Sequence, residues 1–144
     1  MRFGVASDHA GFRYKSITAD HLRSLGYDVR DFGTMAEAPP VDYPDMIHPL
    51  AIAVAAGEID RGVIFGGSGN GEAMTANRVR GVRCGVAWNV ESARLSRAHN
   101  DANVLSIGQR LIAEDQLIPI LDVWLSTPFE GGRHVARIRK LDLL

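Results

Sequence analysis

A three-layer α/β/α sandwich around a five-stranded parallel sheet is what this sequence predicts, and three observations carry the prediction. Apolar runs of strand length alternate five times with segments whose apolar residues recur at helical spacing. The connections between them are short. The run Gly62-Val63-Ile64-Phe65 is apolar throughout, as a parallel strand covered on both faces requires. With 144 residues and 46% hydrophobic content, the chain has the size and core material of one domain, read here as spanning residues 1–144.

The elements follow in order. Arg2 to Ser7 is a short strand that stops at Asp8-His9-Ala10-Gly11. Tyr14, Ile17, Thr18, His21, Leu22 and Leu25 then recur on one helical face, and Gly26 supplies the stop. Tyr27 to Phe32 alternates as a second strand and ends at Gly33. Pro39, Pro40 and Pro44 favour an extended loop, after which a helix is expected from about Asp45 to Ala56. The third strand, 62–65, runs straight into Gly66-Gly67-Ser68-Gly69-Asn70-Gly71. A short helix from Glu72 to about Arg78, a strand from Val82 to Trp88 and a helix from Val90 to about His99 come next. The fifth strand, Val104 to Ile107, leads to Gly108-Gln109-Arg110. A helix from Glu114 to Leu125 should turn Leu117, Ile118, Leu121, Trp124 and Leu125 inward. Pro119 lies beyond its first turn, so a kink or a later start is expected. A last helical piece spans about Gly132 to Leu141. Trp88, Trp124 and the methionines read as core, and Cys84 as a small buried residue.

Charge and composition exclude several classes of function. Sixteen Lys+Arg against seventeen Asp+Glu gives a formal net charge of -1 with both signs interspersed, which removes the electrostatic case for nucleic acid or an anionic membrane. No apolar run is long enough to span a bilayer, and the N-terminus turns polar before a signal-peptide core could form, so the reading is a cytoplasmic protein. The single cysteine allows no internal disulfide and no cysteine-based metal site. The five histidines, at 9, 21, 48, 99 and 134, show no metal-ligand spacing, so no metal is expected.

In a Rossmann-like sandwich, ligands bind beyond the carboxyl ends of the strands. The glycine loop is the strongest signal there. Four glycines in six residues let the backbone turn sharply and aim several N–H groups at one point. Such a nest suits a phosphate or the oxyanion of an enediolate, and its bland alternative is a tight strand-to-helix turn. The P-loop Lys-Ser/Thr and the dinucleotide Gly-x-Gly-x-x-Gly spacing are both absent. Glu72 follows at once: it is either a helix-start acid or a general base beside the nest, and both can hold. Ser68 is a turn serine or a donor to a substrate oxygen. Asp8 and His9 are a helix cap or a catalytic pair. His99 and Asn100 close the fourth helix. Arg133 and Arg137 share one helical face with His134 beside them, and with Arg110 they form either a solvated charged surface or a phosphate clamp.

Several separate motifs together resemble the type B ribose-5-phosphate isomerases, a family that includes galactose-6-phosphate and allose-6-phosphate isomerases. The motifs are Ser-Asp-His-Ala-Gly at 7–11, Asp-Tyr-Pro at 42–44, Gly-Gly-Ser-Gly-Asn-Gly-Glu at 66–72, Ala-Asn-Arg at 76–78, Ser-Arg-Ala-His-Asn-Asp-Ala-Asn-Val-Leu at 96–105, Gly-Gln-Arg at 108–110 and Glu-Gly-Gly-Arg-His at 130–134. The resemblance implies an aldose–ketose isomerase acting on a sugar phosphate through an enediolate, without metal or organic cofactor. It implies that His99 opens the furanose ring with help from Asp8. The amides of Gly67, Ser68, Gly69, Asn70 and Gly71, with the Ser68 hydroxyl, would hold the enediolate oxygens, and Asn100 the sugar hydroxyls or the oxyanion. Tyr43 would border the sugar, and His9, Arg110, Arg133 and Arg137 would hold the phosphate.

Many members of that family place a catalytic cysteine where this chain has Gly66, so the resemblance is to the branch in which the glutamate after the loop, Glu72, is the base. It also implies adjacent first and third strands, and a homodimer or tetramer whose active sites are shared, some of His99, Arg110, Arg133 and Arg137 reaching the partner's glycine loop. Ribose 5-phosphate and ribulose 5-phosphate are the expected pair. The alternatives are a six-carbon phosphate, a free sugar, or a sugar-phosphate-binding module without catalysis.

Overall fold

Alternation along the strands decides which helices cover which face. The computed structural model describes residues 1–144. Its strands are β1 (Arg2–Ser7), β2 (Asp28–Asp31), β3 (Arg61–Gly66), β4 (Cys84–Ala87) and β5 (Val104–Gly108), all parallel, in the order β2-β1-β3-β5-β4. The helices are α1 (Phe12–Ser24), α2 (Tyr43–Ala55), α3 (Asn70–Ala76), α4 (Val90–Asn100), α5 (Glu114–Ser126) and α6 (Arg133–Leu141), with one 3-10 turn at His9–Gly11. Phe3, Val5, Val63, Phe65, Leu105 and Ile107 point to one face and are buried with Leu22 of α1, Ala93 of α4 and Leu117, Leu121 and Trp124 of α5. The alternate positions Ala6, Ile64 and Val104 pack on Ile47, Leu50 and Val54 of α2 and Ala76 of α3. This is the expected sandwich, with β1 beside β3 as the resemblance implied. No helix is long and apolar enough to cross a membrane.

Small residues set how closely the layers approach. A Cβ at Gly62 would lie 2.6 Å from the Leu50 side chain, so α2 rests directly on the backbone of β3. A Cβ at Gly11 would lie 2.5 Å from the Phe65 backbone, so the start of α1 is pressed onto the end of β3. The strand order reverses between β1 and β3, and this contact sits at that reversal, the crevice where open α/β sheets bind ligands.

Some expected details differ. α2 begins at Tyr43 because Pro44 in its first turn needs no amide partner. α5 begins at Glu114 and runs through Pro119. Pro119 and Asp115 are both exposed, so water can satisfy the Asp115 carbonyl that Pro119 cannot. Trp124 is fully buried, but Met1 before β1, Met35 in the loop after β2 and Met74 on α3 are exposed; Trp88 is 58% exposed as well, because it follows β4, an edge strand whose outer side carries no further strand. Cys84 is half-buried, not buried, for the same reason.

Gly11→Ala is expected to destabilise the fold by roughly 1–3 kcal/mol, because the added methyl meets backbone that cannot rotate away. Urea denaturation followed by circular dichroism measures this.

Candidate active site

Three chain segments converge beyond the carboxyl ends of β1, β3 and β5. The turn after β1 supplies Asp8, whose carboxylate accepts from the Gly11 amide at 3.0 Å and thereby caps the 3-10 turn. The bland reading of Asp8 therefore holds, and its placement at the crevice leaves the catalytic one equally open. His9 accepts the Val41 amide at Nδ1, 3.3 Å away, which leaves Nε2 carrying the ring proton and free to donate. The loop after β3 lies on the end of β5: Gln109 and Arg110 donate their amides to the Gly66 and Gly67 carbonyls at 2.9 and 3.0 Å. A Cβ at Gly108 would lie 2.5 Å from the Ser68 carbonyl oxygen.

Gly69 is the N-cap of α3 and has φ +79°, a conformation that suits glycine. Its carbonyl accepts the buried Ser106 hydroxyl at 2.7 Å, which pins the loop from below. Ser106 is a residue that sequence reasoning missed, since a serine in a buried strand carries no functional signature. The Ser68 hydroxyl accepts from the Asn70 amide at 3.3 Å, as a turn serine does.

The location of Glu72 is the most informative feature. It is 4% exposed, and a Cβ built at Gly66 would fall on its carboxylate. The acid therefore occupies the volume that a side chain at position 66 would need, and a cysteine at 66 and this glutamate conformer exclude each other. Burial pushes the Glu72 carboxyl above its ordinary value, and the neighbouring Asp8 charge adds to the rise. Glu72 lines a cleft of about 350 Å³ with Tyr43, Gly67, Ser68, Gly71, Arg110 and Leu111. Tyr43 closes one side, where its ring would lie 2.6 Å from a Cβ at Gly71. Arg110 closes another, its guanidinium 3.0 Å from the Cβ position of Gly67. Leu111, exposed beside Arg110, is a further lining residue with no signal in the sequence.

The remaining candidates lie elsewhere. α4 runs antiparallel to the strands, so His99 and Asn100 emerge at the amino end of the sheet. There the Asn100 carbonyl accepts from Arg83 Nε at 3.0 Å, just before β4, and the Glu130 amide donates to the Ala98 carbonyl at 3.0 Å. α6, which carries Arg133, His134 and Arg137, ends at Asp142, 3.1 Å from Arg83. At about 3.3 Å per residue, β5 alone separates this group from the glycine loop by roughly 16 Å. One chain thus holds two sets of site residues at opposite ends of its sheet. Arg110, one of the residues expected to reach across to a partner, stays against its own loop.

The amino-end set holds a cluster invisible in sequence spacing. His99, Glu130 and His134 place their ligand-type atoms within 4.8 Å of one another. His99 and His134 stack with centroids 4.4 Å apart and planes 15° from parallel, and Glu130 approaches their Nε2 atoms at 3.6 and 3.8 Å. Nearly parallel stacked rings hold their nitrogen lone pairs in two separate, nearly parallel planes, so one ion near the rings cannot lie in both. The arrangement is instead two imidazoles sharing one carboxylate. Burial, His99 and the flanking Arg133 and Arg137 hold the His134 imidazole below its ordinary value, against the opposing pull of Glu130.

A doubly wound parallel sheet with a carboxylate, an amide nest and an arginine at its crevice defines a class of α/β enzyme acting on small anionic substrates. Comparisons with known proteins narrow that class. Residues 3–141 match the family model described as Ribose/Galactose Isomerase. The ribose-5-phosphate isomerase B of Escherichia coli is 40% identical over 140 residues, covering 97% of this chain and 93% of that protein. The ribose-5-phosphate isomerase B of Clostridium thermocellum superposes with a TM-score of 0.97 at 45% identity, covering 99% of this chain and 96% of that one. The Mycoplasma genitalium ribose-5-phosphate isomerase B, solved with bound ribulose-5-phosphate, superposes with a TM-score of 0.95 at 36% identity, covering 99% and 94%. The chain belongs to the ribose/galactose isomerase family.

The raised Glu72 carboxyl has a consequence for stability. Below its ordinary value of 4.5 the group is protonated in both the folded and unfolded chain. As the pH climbs from there through the raised folded value, ionisation costs more in the folded state, and that stabilisation is lost. Glu72→Gln is therefore expected to melt higher than the parent at pH 7. The difference should shrink toward zero as the pH is lowered to about 4, and thermal melts at the two pH values test it.

Proposed function

We propose that this protein is an aldose–ketose isomerase interconverting D-ribose 5-phosphate and D-ribulose 5-phosphate. The observation that carries the reading is the buried Glu72 carboxylate, seated in the space of the absent Gly66 side chain and beside the loop amides. A base must reach the C2 proton while donors hold the adjacent oxygens, and this corner of the fold offers both. His99 donates a proton to the ring oxygen and Asp8 accepts one from the anomeric hydroxyl, which opens the furanose. Glu72 then takes the C2 proton, the C–H electron pair forms the C1–C2 double bond and the C1 carbonyl oxygen becomes an enolate oxygen, which the amides from Gly67 to Gly71 hold with the Ser68 hydroxyl. Glu72 returns the proton to C1 while the C2 hydroxyl proton passes to the C1 oxygen, so that the C2 oxygen becomes the ketone and C1 a hydroxymethyl group. Desolvation suits Glu72 to this shuttle, because a carboxyl with a raised proton affinity both accepts and returns a proton readily. Arg110, Arg133, Arg137 and His9 hold the phosphate, Asn100 a sugar hydroxyl, and Tyr43 the sugar edge. The carbon-to-carbon proton shuttle is assigned to Glu72 and the oxyanions to loop donors, so turnover is expected to survive chelation.

The two sets of residues meet only if a second copy supplies one of them. A two-fold axis perpendicular to the strands inverts the partner, so the amino end of one sheet lies beside the carboxyl end of the other and two equal composite sites result. The outer flank of β4 and α4 supports such a contact. Val86, Trp88 and Leu95 line a groove of about 400 Å³ there, and Trp88, Val90 and Met74 are all more than 40% exposed.

Glu72→Gln is expected to abolish both turnover and solvent-deuterium incorporation at C2 of ribose 5-phosphate while sugar-phosphate binding persists in calorimetry. Near-normal turnover by this variant would sink the assignment, and a turnover panel of five- and six-carbon phosphates fixes the substrate. Mixing Glu72→Gln with His99→Ala chains, each inactive alone, should restore roughly a quarter of the parent activity, because half the dimers are mixed and each carries one intact site. No recovery after mixing under subunit exchange would rule out shared sites.

A further inference from the structure

Lys15 is among the largest fully buried side chains of the protein, and the mechanism above gives it no task. It sits on α1 with 1% of its side chain exposed. Its ammonium donates to both Asp31 carboxylate oxygens, at 2.8 and 2.6 Å, and to the Thr34 carbonyl. All three N–H groups are thus spent on one short stretch of chain, the turn that follows β2.

That turn is tied to the site at both of its ends. The Asp31 carboxylate also accepts the Gly33 amide at 2.9 Å. The Gly33 carbonyl accepts the Ser7 amide at 2.6 Å, and the Thr34 amide donates to the Ser7 carbonyl at 2.7 Å. Both backbone polar groups of Ser7 are therefore held by the turn, and Ser7 immediately precedes Asp8 and His9. Downstream of Thr34 the chain runs without regular structure to Val41, which caps His9 Nδ1, and then to Tyr43.

We propose that Lys15 is a positioning residue of the sugar-phosphate site: through the ion pair of its buried ammonium with the half-buried Asp31 it bolts the Gly33–Thr34 turn beneath Ser7 and so fixes the aim of Asp8, His9 and Tyr43. The proposal rests on the reading of those residues as substrate contacts. A buried ion pair is a poor device for stability alone, since apolar replacements often serve as well. What it provides is direction: three donors converge on one turn, and a lysine satisfies them only when the turn is in place. Glu72 and its amides stand on β3 and α3 and do not depend on this turn.

Lys15→Met and Asp31→Asn test the idea, with Leu121→Ala as a control that weakens the core away from the site. Lys15→Met is expected to raise KM for ribose 5-phosphate roughly five-fold or more with a smaller change in kcat, because substrate contacts move while the base stays. Asp31→Asn should shift KM in the same direction, and serves if Lys15→Met folds poorly. The His9 ring nitrogens, followed by nitrogen NMR, should lose the fixed tautomer set by the Val41 amide in both variants. Leu121→Ala should lower the melting temperature and leave KM and the His9 tautomer at parent values. If His9→Ala raises KM but both clamp variants keep the parent KM and the parent His9 tautomer, the proposal is overturned and the site reading stands. If His9→Ala itself leaves KM unchanged, the site reading falls and the proposal falls with it.

Discussion

The site depends on one steric exclusion, the absence of a side chain at Gly66. β3 ends there against β5, and the Glu72 carboxylate fills the space that a Cβ would take. From that placement follow the burial of the acid, the rise in its proton affinity, and its position beside the amides of a loop that itself begins at Gly66. The neighbouring contacts are equally tight. Gly11 lies on the Phe65 backbone and Gly108 on the Ser68 carbonyl, so the ends of β1, β3 and β5 touch through backbone alone. Backbone contacts of this kind cannot relax by changing rotamer, which is what holds an amide nest in fixed geometry.

The second constraint is the length of the sheet. A helix that returns from one parallel strand to the next must run antiparallel to both, so residues at its end are carried to the amino edge. His99 and Asn100 end α4 and are carried there, and α6 brings Arg133, His134 and Arg137 beside them. No side chain spans the distance back to Glu72. On the shared-site reading proposed above, this divided set of polar residues is a reason for two copies to associate. The exposed Trp88, just past the end of the edge strand β4, fits the same logic, since an edge flanked by exposed apolar side chains is a natural place for a second chain.

Charge is deployed locally and not globally. The net charge of -1 creates no long-range attraction for anions, yet Arg110, Arg133 and Arg137 are exposed at the two sets of site residues. The pair of buried Lys15 with half-buried Asp31 sits beside the crevice, not in it, and on the proposal above acts through backbone connectivity. In the proposed site a small anion would meet its recognition at short range, where bidentate geometry matters more than summed field.

Much of this was legible in the residues. The alternation of strand and helix patterns determined the sandwich and the five strands. Glycine spacing after β3 marked the loop, and the acid that follows it is the base proposed above. Trp88 misled because an apolar residue at a strand end reads as core whether or not the strand lies at an edge, and edge position is a property of strand order. The His99–Glu130–His134 cluster and the Ser106 bond to Gly69 had no signature, because their partners are far apart in the chain and meet only through packing. By itself, then, the sequence determined what is periodic or contiguous: the elements, the nest and the neighbouring acid. Tertiary structure alone decided which polar residues share an end of the sheet, because strand order and the direction of each return helix set that, and neither is written in local spacing.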